Sequence, residues 1–197
     1  MSNSISIAHV FESVCKWNAQ RYDRVYDHKL SIALLEEELC EYYEAQNTVD
    51  QLDALCDTIY VAMGVLWKIN VNTETLEINA NDSHIQAVAL VDSNTLEPVD
   101  FAYAVLTRCK YDNDYPVALA AQMLITLCTA QASAFGLSTQ EVIESLLVVC
   151  DSNDSKSIKK VEPHIKANAG DKGPYFVPPE PRLQAIIDRA SKRHGFE

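Results

Sequence analysis

The chain has 197 residues, 48% of them apolar, and a formal net charge of −12. That is enough apolar material for one packed core and argues against global disorder. The charge argues against a nucleic-acid backbone as partner, but leaves open an anionic small molecule whose contact is mediated by metal ions.

No apolar run approaches the ~20 residues of a membrane-spanning helix, and the start, MSNSISIAHVFES, lacks the basic and long apolar parts of a signal peptide. The expected setting is therefore the cytoplasm, with no membrane partner. Six scattered cysteines form no CxxC pair, which fits free, mostly buried thiols in a reducing compartment. Only five glycines occur, with no GxxxxGK or GxGxxG, so a P-loop or Rossmann nucleotide site is not expected.

Residues 6–22 carry Ile7, Val10, Phe11, Val14 and Trp17 at helical spacing. Asp27 is placed to cap a second helix reaching about residue 46, with Leu30, Leu34, Cys40 and Ala45 inward. Thr48 is placed to cap a third, to about residue 69, whose apolar face includes Leu52, Leu55, Cys56, Ile59, Tyr60 and Met63. The connection between the second and third helices is short, so they form an antiparallel hairpin.

Residues 70–98 are polar and turn-rich, and periodicity does not decide whether HIQAVALVDS is helix or strand. Residues 99–110 read as helix. Pro116 suits the first turn of a long helix through Phe135, which Gly136 ends. Ser138 and Glu141 make a capping box for a helix to about Cys150. An irregular segment follows, then a last helix over about 181–192. The fold class is all-α, one domain over 1–197 with a central insertion at about 69–115.

The hairpin carries the chemistry. Glu38 and Glu41 are spaced i,i+3 and Glu37 and Glu41 i,i+4; Asp50, Asp53 and Asp57 share one stripe of the facing helix. Unopposed, each exposed like-charge i,i+4 pair costs roughly 0.2–0.5 kcal/mol, and a desolvated one more. Lys29 and Lys68 lie outside the cluster, so hard divalent cations with oxygen ligands are the natural counter-charge. Glu36 and Glu44 are expected at solvent or in local ion pairs. His9, His28, His84, His164 and His194 show no ligand spacing.

At these residues the sequence resembles a known family. EELCEYYEA (37–45) followed by LDALCDTIYVAMG (52–64) is similar to the all-α nucleoside triphosphate pyrophosphohydrolases, which include MazG-like, phosphoribosyl-ATP pyrophosphatase-like and dimeric dUTPase-like proteins. Their pattern is an EExxE helix followed by a helix with ExxD or DxxxD. Where MazG proper has the first acid of ExxD, this chain has Ala54, and Asp53 stands one residue earlier. Downstream, SNDSK (152–156) and DKGPYFVPP (171–179) resemble the tail of phage and bacterial members of the phosphoribosyl-ATP branch.

The resemblance implies a MazG-like helical bundle acting on a nucleotide, with Mg²⁺ as cofactor and Mn²⁺ as its substitute. It implies Glu38, Glu41, Asp53 and Asp57 as metal ligands, and Glu37 and Glu38 as the catalytic pair. Asn153, Lys156 and Lys172 would meet the triphosphate. The residues of the first helix themselves offer the rest of a substrate site: Trp17 an aromatic face to stack on a base, Asn18 an amide to read its edge, and Arg21 a cation to meet phosphate. The implied reaction is hydrolysis of a dNTP or non-canonical NTP to monophosphate and pyrophosphate, by a homodimer or higher homo-oligomer in the cytoplasm, that of a host if the protein is viral. Two alternatives stay open: an inactive nucleotide- or metal-binding regulatory protein, and a pyrophosphohydrolase acting on phosphoribosyl-ATP or an alarmone.

Overall fold

The structure, a computed structural model, describes residues 6–72, 96–112, 114–162, 164–165 and 170–195. Among these it holds seven α-helices and no strand: α1 (Ile7–Arg21), α2 (His28–Glu44), α3 (Thr48–Lys68), α4 (Pro98–Tyr111), α5 (Val117–Ala134), α6 (Thr139–Ser155) and α7 (Glu180–His194). HIQAVALVDS and His84 lie outside the described residues.

Local signals account for most helix ends. The Asp27 side chain accepts from Leu30 N at 2.9 Å and starts α2. The start of α3 is capped one residue earlier than expected, by Asn47, which accepts from Asp50 N at 3.0 Å. Gly136 takes a φ of 82° just past α5, where other residues would be strained. Ser138 and Glu141 form the capping box of α6. This helix runs to Ser155 rather than Cys150, because Ser152 and Asn153 are buried and no breaker follows Cys150. Asn153 therefore sits on a helix, not in an irregular segment.

At the centre lies α3, buried on nearly all sides, with Leu52, Leu55, Ile59, Met63 and Leu66 fully enclosed. Each such side chain contributes about 1.5–3 kcal/mol relative to exposure. The α2–α3 hairpin packs against a second hairpin, α4–α5, with α3 on α5 and α2 on α4. On another side α1 and α6 pack on α3 and on each other, and α7 closes over α3 and α6. The second half of the expected insertion is thus a core helix, α4, tied to α2 by Lys110 and Glu36 at 2.8 Å. By length and composition α5 is apolar enough to cross a membrane, contrary to the reading of the sequence; here more than half of it is buried within the protein.

The inward face of α2 is not the one expected. Ser31, Ile32, Leu35, Leu39 and Tyr42 are buried, whereas Cys40 is exposed and Leu30, Leu34 and Ala45 are only partly covered. The stripe 32, 35, 39, 42 faces the core, which turns Leu34, Glu37, Glu38 and Glu41 onto an adjoining face. All six cysteines are free and four are buried.

Candidate active site

That adjoining face lines a cavity of about 570 Å³ between the acidic hairpin, α1 and the end of α6. Glu37, Glu38 and Glu41 enter it from α2 and Asp57 from α3; Asn153, Lys156 and Gly170 face them. Trp17 and Asn18 wall the cavity from α1. One chain supplies all these walls.

Asp53 does not line this cavity. It sits one turn before Asp57 and opens, with Glu41, Glu44 and Asp50, onto an adjoining shallow pocket of about 310 Å³. Glu41 borders both. Asp53 nonetheless belongs to the same electrostatic cluster. Burial, followed by the charges of Asp57, Glu180 and Glu41, pushes its carboxyl up to about 7, against the pull of Lys156. Glu180, at the start of α7, is an acid that hairpin spacing had no means to reveal.

Glu38 is likewise pushed well above the carboxylate range, first by burial and then by Asp57, Glu41 and Glu37. Asp57, part-buried where it lines the cavity, moves up with it, chiefly through desolvation; Lys156, Lys172 and a hydrogen bond from the Asn153 side chain restrain the rise. Three carboxyls raised together mark a site short of positive charge.

The Asn153 backbone carbonyl accepts from Trp17 Nε1 at 3.0 Å, and its Oδ1 accepts from Lys156 Nζ at 2.7 Å. One asparagine thus orients the aromatic wall, the lysine and Asp57. Gly170 leaves no room for a side chain: a Cβ there would meet the Ser157 carbonyl oxygen at 2.3 Å and Lys156 Cβ at 3.0 Å.

Two residues expected at the phosphates lie elsewhere. Arg21 is 1% exposed and does not reach the cavity. Its guanidinium stacks 4.3 Å from the Trp17 ring centroid and donates to the carbonyls of Trp17 and Lys156, both at 3.3 Å. It holds Trp17 and the Lys156 backbone in place, because stacking and carbonyl acceptors draw it into the interior. Lys172 is exposed with its ammonium 4.9 Å from the Phe176 ring; it acts on Asp57 through its charge without lining the cavity. Conversely Lys68, placed outside the cluster by sequence, lines the cavity at its other end, as do Tyr22 and Ser31. Helical spacing from Asp57 to Lys68, eleven residues along one face, was the available signal for it.

The donor set suits a hard divalent cation. Glu38, Glu41, Asp53 and Asp57 offer only carboxylate oxygens, and Asp53 Oδ1 is buried with no hydrogen-bond partner. Among the described residues, no three such side chains are drawn into a single coordination shell in this conformation.

A family model described as Phosphoribosyl-ATP pyrophosphohydrolase matches residues 8–84. The match contains α1 from its second residue, α2 and α3, with Trp17, Asn18, Glu37, Glu38, Glu41, Asp53 and Asp57. It continues into the segment read as an insertion, and Asn153, Lys156 and Lys172 lie beyond it. No curated protein and no solved structure matches the chain. Enzymes of this family are nucleotide pyrophosphohydrolases that typically use Mg²⁺. Over residues 8–84 the chain is thus similar to the phosphoribosyl-ATP pyrophosphohydrolase family, within the MazG-like all-α nucleoside triphosphate pyrophosphohydrolase superfamily.

Proposed function

We propose that the protein hydrolyses a nucleoside triphosphate, a dNTP or a non-canonical NTP, to the monophosphate and pyrophosphate with Mg²⁺ as cofactor. The observation that carries this reading is one cavity with Glu37, Glu38, Glu41 and Asp57 at one end and an aromatic and apolar wall of Trp17, Tyr22, Leu34, Val61 and Val65 further along. Such a cavity fits a ligand with a charged, metal-bound tail and a flat, partly apolar head.

Mg²⁺ held by Glu38, Glu41, Asp53 and Asp57 would neutralise the triphosphate and polarise its phosphorus. Lys156, oriented by Asn153 and next to the carboxylates, donates to phosphate oxygens that remain uncovered. Glu37 accepts the proton of the attacking water, whose oxygen bonds to phosphorus as the bond to the pyrophosphate oxygen breaks. Glu38, raised by burial and by its acidic neighbours, holds a proton near neutrality until a cation replaces it. Trp17 stacks along the nucleoside. The chain's part is positioning and charge compensation, not covalent catalysis.

The test is incubation with a panel of NTPs and dNTPs plus Mg²⁺, reading monophosphate and pyrophosphate, with Glu38→Ala as control. Turnover lost in the control supports the reading. Nucleotide-dependent thermal stabilisation without product would identify a binding protein instead.

A further inference from the structure

The cavity end remote from the carboxylates carries polar groups that phosphate chemistry does not use. On α3, Gly64 and Lys68 follow Asp57 by seven and eleven residues, about 10 and 16 Å at the helical rise. On α2, Ser31 precedes Glu38 by seven residues, again about 10 Å. Gly64, Lys68 and Ser31 all line the cavity.

Ser31 is 1% exposed and its Oγ has no hydrogen-bond partner. Buried hydroxyls are rarely left so, and one that opens on a cavity calls for a polar ligand. Asn18 is also buried, and its Nδ2 donates to the Val14 carbonyl at 2.9 Å. A carbonyl can only accept, which fixes the amide's orientation and leaves Oδ1 as an acceptor. The amide lies against Gly64, where an added Cβ would stand 3.5 Å from Oδ1. Lys68 completes the set. Its ammonium is 4.9 Å from the Tyr22 ring centroid, in a setting whose burial lowers its proton affinity, and it can only donate.

An acceptor, a donor-only cation and a hydroxyl are thus set about 10–16 Å from the catalytic acids, where the head of a nucleotide anchored by its phosphates falls. Their complement is a ring N–H beside a carbonyl, as on the lactam or imide edge of uracil, thymine, hypoxanthine or guanine. Cytosine and adenine present an exocyclic amino group there, a donor that would face the Lys68 ammonium.

We propose that Asn18, Ser31 and Lys68 form a base-reading subsite that selects nucleotides with a lactam or imide edge over those with an amino group. It rests on the nucleotide reading above and names the substrate class of the same site. An unpaired amino group against a part-buried ammonium is a penalty as well as a lost bond, and penalties of this kind discriminate more strongly than missing methylenes.

The experiment measures kcat/KM for dUTP, dTTP, dITP, dCTP and dATP on the wild type, Lys68→Met and Ser31→Ala. In parallel, intrinsic tryptophan fluorescence, from Trp17 in the cavity wall and Trp67, follows binding of the α,β-imido analogues of dUTP and dCTP. The expected result is a preference of roughly tenfold or more for the lactam and imide bases, which collapses in Lys68→Met and shrinks in the nearly isosteric Ser31→Ala. Equal use of both classes by the wild type, or an equal loss on both in Lys68→Met, overturns the subsite while leaving the pyrophosphohydrolase reading intact. Selective binding of the dUTP analogue without turnover of any nucleotide does the reverse: it overturns the activity and supports the subsite.

Discussion

Trp17 and Asn153 are 136 residues apart in sequence and share a buried hydrogen bond, indole Nε1 to backbone carbonyl, at 3.0 Å. The bond ties the wall expected at the nucleoside to the residue that orients Lys156. Trp17→Phe keeps an aromatic ring and removes the donor, leaving the Asn153 carbonyl short of a partner. The variant should lose about 1–2 kcal/mol of stability in urea unfolding, with the slope unchanged. Its KM for nucleotide should rise by more than its kcat falls, since both walls loosen while the acids stay.

Neutralising one acid should stabilise the metal-free protein. Glu38 is part-buried beside Asp57, Glu41 and Glu37; desolvation first, and then their repulsion, raises its carboxyl. Glu38→Gln keeps the shape and removes a charge, so its melting temperature without metal should exceed the wild type's by a few degrees at pH 8, on the order of 1 kcal/mol. Activity should fall to background. A Glu38→Gln protein less stable than wild type without metal would contradict the repulsion argument.

The pH dependence of stability follows from the same shifts. A carboxyl whose folded pKa lies above its unfolded value favours folding while protonated, and that contribution is lost as pH rises. Asp53, ordinarily near 4 and raised to about 7, with Glu38 and Asp57 moved the same way, places the loss between about pH 4 and pH 7 and somewhat above. The metal-free melting temperature should decline across this window. Mg²⁺ should restore more at pH 8 than at pH 5 and release protons on binding, which titration in buffers of different ionisation enthalpy measures.

Glu141 behaves oppositely. Arg193 at 2.8 Å and the Ser138 hydroxyl and N–H at 2.7 and 2.8 Å hold its carboxyl down to about 2. Its contribution is fully present above the ordinary carboxylate range and is lost as pH falls toward 2. Glu141→Gln should cost about 1–2 kcal/mol at pH 7, and the gap to wild type should close below about pH 4. Chemical denaturation at several pH values reads it directly.

Gly170→Ala should act on the site and spare the core. The added Cβ would lie 2.3 Å from the Ser157 carbonyl, so the chain beside Lys156 must move. With Lys156 at the phosphates as proposed, a displacement of about 1 Å should lower kcat/KM roughly tenfold or more, while far-UV circular dichroism should stay as in the wild type.

Helix positions were legible because caps and periodicity are local: Asp27, the Ser138–Glu141 box and Gly136 all act where the sequence placed them. The acidic stripe was legible for the same reason. The inward face of α2 was not. Leu34 and Cys40 are as apolar as Leu35 and Leu39, and only packing against α3 and α4 decides which pair is enclosed. Arg21 misled because a guanidinium one turn from Trp17 reads as a phosphate ligand, whereas stacking and two distant carbonyls claim it. Ser31 and Lys68 carry no motif; their place appears once α1, α2 and α3 meet.

Arg21 has a mechanical consequence. Its guanidinium bonds to the Lys156 carbonyl, its own carbonyl accepts from Val161 N at 2.9 Å, and Tyr22 pairs with Val161 in a parallel bridge. Together with the Trp17–Asn153 bond, these stitches make α1 and the chain from Asn153 to Val161 one arm of a clasp, whose opposing arm is the α2–α3 hairpin. The seam between the arms runs the length of the cavity, from the acids to Lys68. A substitution that breaks one of these stitches would therefore disturb Trp17, Asn18, Asn153 and Lys156 together, at both ends of the cavity.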